Sequence, residues 1–238
     1  MPAGITFLGH STFQLSLPDE RVIIVDPWLT ENPACPDSFK NPSRCDFVFL
    51  THGHFDHVGD VQALVDEAES LMGGVDVLIN NAGLGGTKLL VDMEDDEWSR
   101  VLDVTLTGTM RMTRAMLRKM QPREAGVIVN NASVLGWRAQ KEQCHYAAAK
   151  AGVMALTRCS ALEAADYKVR INAVSPSIAF HEFLKKTTPM ELLEELAAKE
   201  AFGRAAEVWE VANVMMFLAS DYSSYMTGEI VPVSSQRA

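Results

Sequence analysis

The chain has 238 residues, enough to bury one full α/β core or two small ones. Hydrophobic residues make up 47% and charged residues 22%, as in ordinary globular proteins, and a formal net charge of −10 argues against a nucleic-acid partner, which needs clustered Lys and Arg. No apolar run reaches the length of a membrane span, and Met1-Pro2-Ala3-Gly4 lacks the basic segment and apolar core of a signal peptide, so a cytoplasmic protein is expected. Cys35, Cys45, Cys144 and Cys159 have no close paired spacing and read as reduced thiols.

In chain order, short strands are predicted at 5–8, 12–17 and 22–25, with Leu17-Pro18-Asp19-Glu20 as a hairpin turn. Residues 27–45, rich in Pro, Asn, Ser and Asp, read as a long loop, and 46–51 as a fourth strand. Directly after it comes His52-Gly53-His54-Phe55-Asp56-His57. From residue 60 the pattern turns helical, with Val61, Leu64, Val65, Ala68, Leu71 and Met72 in step and Gly73-Gly74 ending the run. Strand 75–79, helix 95–120, strand 126–131, helix 145–165, strand 169–174, helices 188–199 and 207–219, and strand 229–233 follow. That alternation implies a parallel sheet with helices on both faces.

Two groups of residues carry chemistry. The first is Ser133, Tyr146 and Lys150, with Asn80-Asn81-Ala82-Gly83 after strand 75–79. Tyr146 and Lys150 stand four apart, hence on one helix face. An ammonium beside the phenol is expected to draw the tyrosine pKa down toward working pH, and Ser133 to hold a substrate oxygen. The second is the cluster His52, His54, Asp56 and His57, whose imidazoles and carboxylate suit zinc.

With Asn172-Ala173-Val174-Ser175-Pro176 and Met226-Thr227-Gly228-Glu229, the first group makes residues 60–238 resemble the short-chain dehydrogenase/reductase family. Pro176-Ser177-Ile178-Ala179 is similar to actinobacterial members, some linked to steroid breakdown. The resemblance implies hydride transfer between NAD or NADP and a carbonyl or alcohol of a small molecule. Ser133, Tyr146 and Lys150 would then be catalytic, and Asn80, Ala82, Gly83, Tyr146, Lys150, Pro176, Ser177 and Ile178 would hold the cofactor. It also implies self-association through helices 95–120 and 145–165. The chain departs from the family at Thr105, where an asparagine is usual, and at Ser177, where glycine is common. The family's opening Thr-Gly-x-x-x-Gly-x-Gly turn, which receives the pyrophosphate, occurs nowhere in the sequence, so cofactor binding is expected to be weak or absent.

Leu8-Gly9-His10-Ser11-Thr12, Ile24-Val25-Asp26-Pro27 and the His cluster make residues 1–58 resemble the start of a metallo-β-lactamase-fold hydrolase. By that resemblance His52 and His54 serve one metal and Asp56 and His57 a second, activating water for attack on an ester, lactone or phosphoester. Only His145 and His181 follow His57, so the family's later ligands are missing and weak zinc binding is expected. The bland alternative is a solvated His-rich loop.

The two stretches meet inside one strand–loop–helix unit. The expected architecture is therefore a single α/β domain over 1–238, a chimera with one mostly parallel, Rossmann-like sheet. Its N-terminal strands would be partly antiparallel, and strand 46–51 would lie parallel and adjacent to strand 75–79. The expected function is that of a reductase, with a catalytically silent recombinant or a zinc hydrolase as alternatives.

Overall fold

The computed structural model describes residues 4–8, 12–26, 29, 33–40, 42–49, 61–180, 184 and 188–235. Strands β1 (Gly4–Phe7), β2 (Phe13–Ser16) and β3 (Val22–Val25) form an antiparallel meander, and β4 (Phe47–Phe49) pairs with β3 in parallel. The β2–β3 hairpin turns through Glu20 at φ 69°, as the Pro-Asp-Glu stretch predicts. Leu8, Ile24, Leu29, Cys35 and Cys45 fill the small core beside this sheet. All four cysteines are free thiols, Cys35 and Cys45 buried.

Helix α1 (Val61–Met72) ends where Gly73 takes φ 70°, the left-handed stop that the Gly-Gly pair signals. Glu69 then receives the Val75 amide (2.8 Å), and Arg123 donates to the Val75 carbonyl (2.6 Å), fixing the entry into β5 (Val77–Asn80). Helices α2 (Asp95–Leu102), α3 (Gly108–Met120), α4 (Cys144–Ala165), α5 (Met190–Lys199) and α6 (Val208–Ala219) alternate with β6 (Gly126–Asn131), β7 (Val169–Pro176) and β8 (Ile230–Val233). The predicted helix 95–120 is divided: Asp103–Thr107 is a π-helical segment between α2 and α3.

Strands β5, β6, β7 and β8 are parallel and in that order, with α3 and α4 packed on the sheet around Met116, Met120, Ile128 and Ile171 and α6 packed around Val129 and Val174. The fold is α/β and Rossmann-like. The expected continuous sheet is corrected in one respect. Hydrogen bonding divides the described strands into β1–β4 and β5–β8, and no ladder joins β4 to β5. Packing joins them instead, because Val48 and Met72 touch both cores. The open edge of β5 is tolerable because Val77 and Ile79 are 38% and 39% exposed, so water reaches the backbone groups that a neighbouring strand would otherwise satisfy.

A buried amide chain fixes the register of the parallel sheet. Asn80 Nδ2 donates to Asn130 Oδ1 (2.8 Å) and Thr113 Oγ1 (3.1 Å), and Asn130 Nδ2 donates to Thr157 Oγ1 on α4 (2.9 Å). Replacing Asn130 by alanine takes one hydrogen bond each from Asn80 and Thr157 in a site that is closed to water. The expected loss of stability is about 2–3 kcal/mol, read from urea denaturation of Asn130→Ala. A change within 0.5 kcal/mol, roughly the scatter of neutral surface substitutions, would show that the chain does not anchor the sheet.

Candidate active site

The site assembles at the carboxyl ends of β5, β6 and β7. Strand β6 delivers Asn131, Ala132 and Ser133 in extended backbone, and the Ser133 hydroxyl accepts the Leu135 amide (3.3 Å), opening a short 3-10 turn at Val134–Gly136. The chain returns into α4, which carries Tyr146 and Lys150 on one face as the four-residue spacing requires. Lys150 is 3% exposed. Its Nζ donates to the Asn131 carbonyl (2.5 Å) and lies 5.6 Å from the centre of the Tyr146 ring. Ser133, Tyr146 and Lys150 are therefore brought together as the sequence implies.

Their electrostatics differ from the expectation. Burial raises the Tyr146 pKa, and the facing Ser133 hydroxyl only partly opposes this. Burial also pulls Lys150 down to about 8. The lysine charge is directed at the Asn131 carbonyl, so loss of hydration dominates and the phenol stays protonated at neutral pH.

A glycine strap, residues 83–86, closes over this face of α4. A Cβ on Gly83 would stand 3.3 Å from Lys150 Nζ, one on Gly85 would stand 3.6 Å from the Tyr146 ring, and one on Gly86 would come 2.9 Å from His145 Nε2. Only at Gly86 is the approach too close for a side chain; at Gly83 the lysine would have to give slightly, and at Gly85 a Cβ would be in ordinary contact. Thr105, at the centre of the π-helical segment, clamps the strap: its Oγ1 accepts the Leu84 amide (3.0 Å) and donates to the Leu84 carbonyl (3.1 Å). Gln143 at the N-cap of α4 donates to the Gly86 carbonyl (2.9 Å), and Lys88 N donates to the Glu142 carbonyl (3.0 Å). Sequence reasoning missed this strap. Its signal was the Gly-x-Gly-Gly run at 83–86, which no helix or strand pattern explains.

His145 was also missed as a feature of this site. It is fully buried, both ring nitrogens lack a hydrogen-bond partner, and Nε2 lies 4.0 Å from Glu97 Oε1. Burial lowers its pKa against the opposing Glu97 carboxylate, so the ring is neutral at pH 7.

The residues expected to hold a nicotinamide cofactor occupy one rim. Ala82 and Gly83 follow β5 and are exposed. Asn80 turns its amide inward, into the chain that fixes β5 to β6. Pro176 ends β7, the Ser177 amide bonds to the Val233 carbonyl (3.1 Å), and the Ile178 carbonyl accepts Ala206 N (2.9 Å). The Gly83 backbone lies close to Lys150 Nζ. The described residues include no glycine-rich turn opening a helix for the cofactor's pyrophosphate. The metal candidates His52, His54, Asp56 and His57 lie outside the described residues. Among the described residues, no three His, Cys, Asp or Glu side chains gather as a metal site.

Lys150 has a testable consequence for stability. Its folded-state pKa lies below the ordinary lysine value of 10.5, so between about pH 8 and 10.5 the unfolded chain binds more protons. Stability from this group therefore rises with pH across that window. Lys150→Met should flatten the rise, read as melting temperature against pH, and an unchanged slope would refute the depressed pKa. Thr105→Val should speed hydrogen exchange at the Leu84 amide while Thr105→Ser retains protection; equal protection in all three proteins would remove Thr105 as the clamp.

Comparison with known proteins agrees with this geometry. Residues 49–235 match the family model described as enoyl-(acyl carrier protein) reductase, and residues 6–69 match the metallo-beta-lactamase superfamily model. The chain is 68% identical over 177 residues to the Mycobacterium tuberculosis (5R,7aS)-5-hydroxy-7a-methyl-1-oxo-2,3,5,6,7,7a-hexahydro-1H-indene-carboxyl-CoA reductase, covering 74% of this chain and 68% of the relative. It is 37% identical over 174 residues to the 3-oxoacyl-(acyl-carrier-protein) reductase of Vibrio cholerae, covering 73% and 69%. A crystal structure of a short chain dehydrogenase from Mycobacterium smegmatis superposes with a TM-score of 0.67 at 58% identity, over 81% of this chain and 72% of that one. With the Ser133–Tyr146–Lys150 arrangement standing on the matched sheet and helix, the chain belongs to the short-chain dehydrogenase/reductase family.

Proposed function

We propose that this chain is a nicotinamide-dependent reductase acting on a carbonyl of a small molecule carried as a CoA thioester. The observation that carries the reading is Tyr146 and buried Lys150 on one face of α4, opposite buried Ser133 at the end of β6, with the glycine strap beside them. The relative named as a hexahydroindene-carboxyl-CoA reductase supports the substrate class. A bound nicotinamide supplies the hydride. The protein's own part is to hold the carbonyl oxygen at the Ser133 hydroxyl and to give it a proton from Tyr146 Oη. A phenol whose pKa is raised by burial is a proton donor at neutral pH, which favours the reducing direction. Lys150, titrating near 8, carries a proton that can restore the phenol below that pH, so reduction is expected to fall as pH rises through about 8.

Residues 49–69 fall within both family models, where β4 leads toward α1. That overlap supports reading the chain as a composite, with a metallo-β-lactamase-like N-terminal segment joined to a reductase within a shared strand–helix unit. Leu162, 77% exposed on α4, supports self-association through α2–α3 and α4.

The test is Tyr146→Phe. It should lose carbonyl reduction by at least about a hundredfold, the usual scale of a general acid, while keeping its circular dichroism. Turnover equal to that of the parent would refute the mechanism. Titration with NADH and NADPH should show dissociation constants in the millimolar range, because the described residues supply no pyrophosphate turn; each tenfold corresponds to about 1.4 kcal/mol. Absence of binding to either nucleotide at any concentration would favour a catalytically silent chain.

A further inference from the structure

His145 is a buried titratable group that the reductase chemistry leaves unused. It stands on α4 one residue before Tyr146, is fully buried, and has no hydrogen-bond partner at either ring nitrogen. Leaving a buried polar atom dry and unpaired is unfavourable, so two such atoms on one ring call for an explanation. Glu97 Oε1 on α2 stands 4.0 Å from Nε2, beyond hydrogen-bond range.

The glycine strap ends on this pair. A Cβ on Gly86 would come 2.9 Å from His145 Nε2 and 3.6 Å from Glu97 Oε1, so strap backbone, imidazole and carboxylate meet at one point. The preceding glycine, Gly85, lies against the Tyr146 ring. The two glycines are consecutive, so the height of the strap over the imidazole and its height over the phenol change together.

A second proton on this ring finds little support. Asp95, Asp96 and Arg100, on the same helix as Glu97, are exposed, as are Lys141 and Cys144 at the approach to α4. Lys88 and Glu142 are half-buried where the two segments join through backbone. Asp103 on the π-helical segment pairs with Arg111 (3.4 Å). On α4 itself, Tyr146 faces Ser133 and Lys150 is turned to the Asn131 carbonyl. The strap, 83–86, and the turn at 134–136 carry no titratable side chain. Glu97 alone favours the charged ring, and burial outweighs it, holding the imidazole below its ordinary value of 6.5.

We infer that His145 is a positioning residue that sets the strap: neutral, it lets Gly85 and Gly86 lie against α4, and on gaining a proton it lifts them from Tyr146. Water then reaches the imidazolium that the closed arrangement keeps dry. The inference goes beyond the reductase reading, since it needs neither cofactor nor substrate. A ring that resists its proton in the closed arrangement accepts it more readily in the open one. Acid therefore shifts the balance toward opening, by at most about tenfold per pH unit for one proton.

The test is amide hydrogen exchange of the whole chain at about pH 7.5 and about pH 5.5, corrected for the intrinsic pH dependence of exchange. The reporters are the Leu84 amide, held by Thr105 Oγ1 (3.0 Å), and the Lys88 amide, held by the Glu142 carbonyl (3.0 Å). Protection at both should fall by at least about threefold at the lower pH. His145→Gln, which keeps a polar side chain that cannot titrate, should lose this dependence. Glu97→Gln should move it to lower pH, because the carboxylate that favours the charged ring is gone. The His145 ring resonances should titrate below 6.5 in the parent. Urea below the unfolding transition should hasten exchange at Ile171 and not at Leu84, because a lifted strap exposes little surface. The inference is overturned if protection at Leu84 and Lys88 ignores pH, or if it rises in acid, which would make Glu97 and the imidazolium a lock. It is also overturned if His145→Gln keeps the parent's pH dependence, or if urea hastens Leu84 as it does Ile171, which would make the opening global.

Discussion

The chemistry of this chain depends on two stitches between β6 and α4. Asn130 and Asn131 are neighbours on the strand, so their side chains leave opposite faces of the sheet. Asn130 sends its amide to Thr157, and the Asn131 carbonyl receives Lys150. Thr157 and Lys150 are seven residues apart, two helical turns on one face. The helix is thus pinned at two heights along a single strand end, and Tyr146 lies one turn beyond the upper pin. The same Asn130 side chain accepts from Asn80, so the strand carrying Ala82 and Gly83 is held in the same register. The Asn80–Asn130 and Asn130–Thr157 links are buried, so breaking one exposes no group to water that could replace it. That constraint lets the site keep its shape although no described strand pairs with the outer edge of β5.

Much of this was legible in the sequence. The strands at 126–131 and 229–233, the helices at 60–72 and 145–165, and the Gly73-Gly74 stop are local patterns, and they match the observed elements closely. The Ser133–Tyr146–Lys150 set could be read because helical spacing and strand-end placement are short-range facts. The interruption at Asp103–Thr107 was not legible, because a π-helical insertion leaves the apolar periodicity of its flanks intact. The role of Thr105 was hidden too. Read as a missing asparagine, it is in space a hydroxyl that makes both a donated and an accepted bond to Leu84. The direction of the Tyr146 shift was misread because the sequence shows the lysine next to the phenol but not the Asn131 carbonyl that accepts the lysine's hydrogen bond, nor the depth of burial.

The sheet boundary was misjudged for a related reason. Strand 46–51 and strand 75–79 each look like buried parallel strands, and pattern alone cannot say whether two such strands are neighbours. In the structure β4 is three residues long and spends its ladder on β3. Its link to the second sheet is made by Val48 side-chain contact, with Met72. A hydrophobic residue can serve two cores at once, whereas a strand edge can be paired only once.

That junction has a consequence for cooperativity. Within each sheet the backbone ladders bind every strand to the next, so each sheet gains or loses its order as a unit. Between the sheets, among the described residues, the connection runs through Val48 and Met72. Free energy that is shared weakly is lost separately, so β1–β4 with its own small core is the subglobal unit that opens first, below the global transition. Proton exchange at Ile24 would then report a lower opening energy than exchange at Ile128 or Ile171, although all three side chains are completely buried. The Ser133–Tyr146–Lys150 face, built wholly on the second sheet, would keep its geometry through that partial opening.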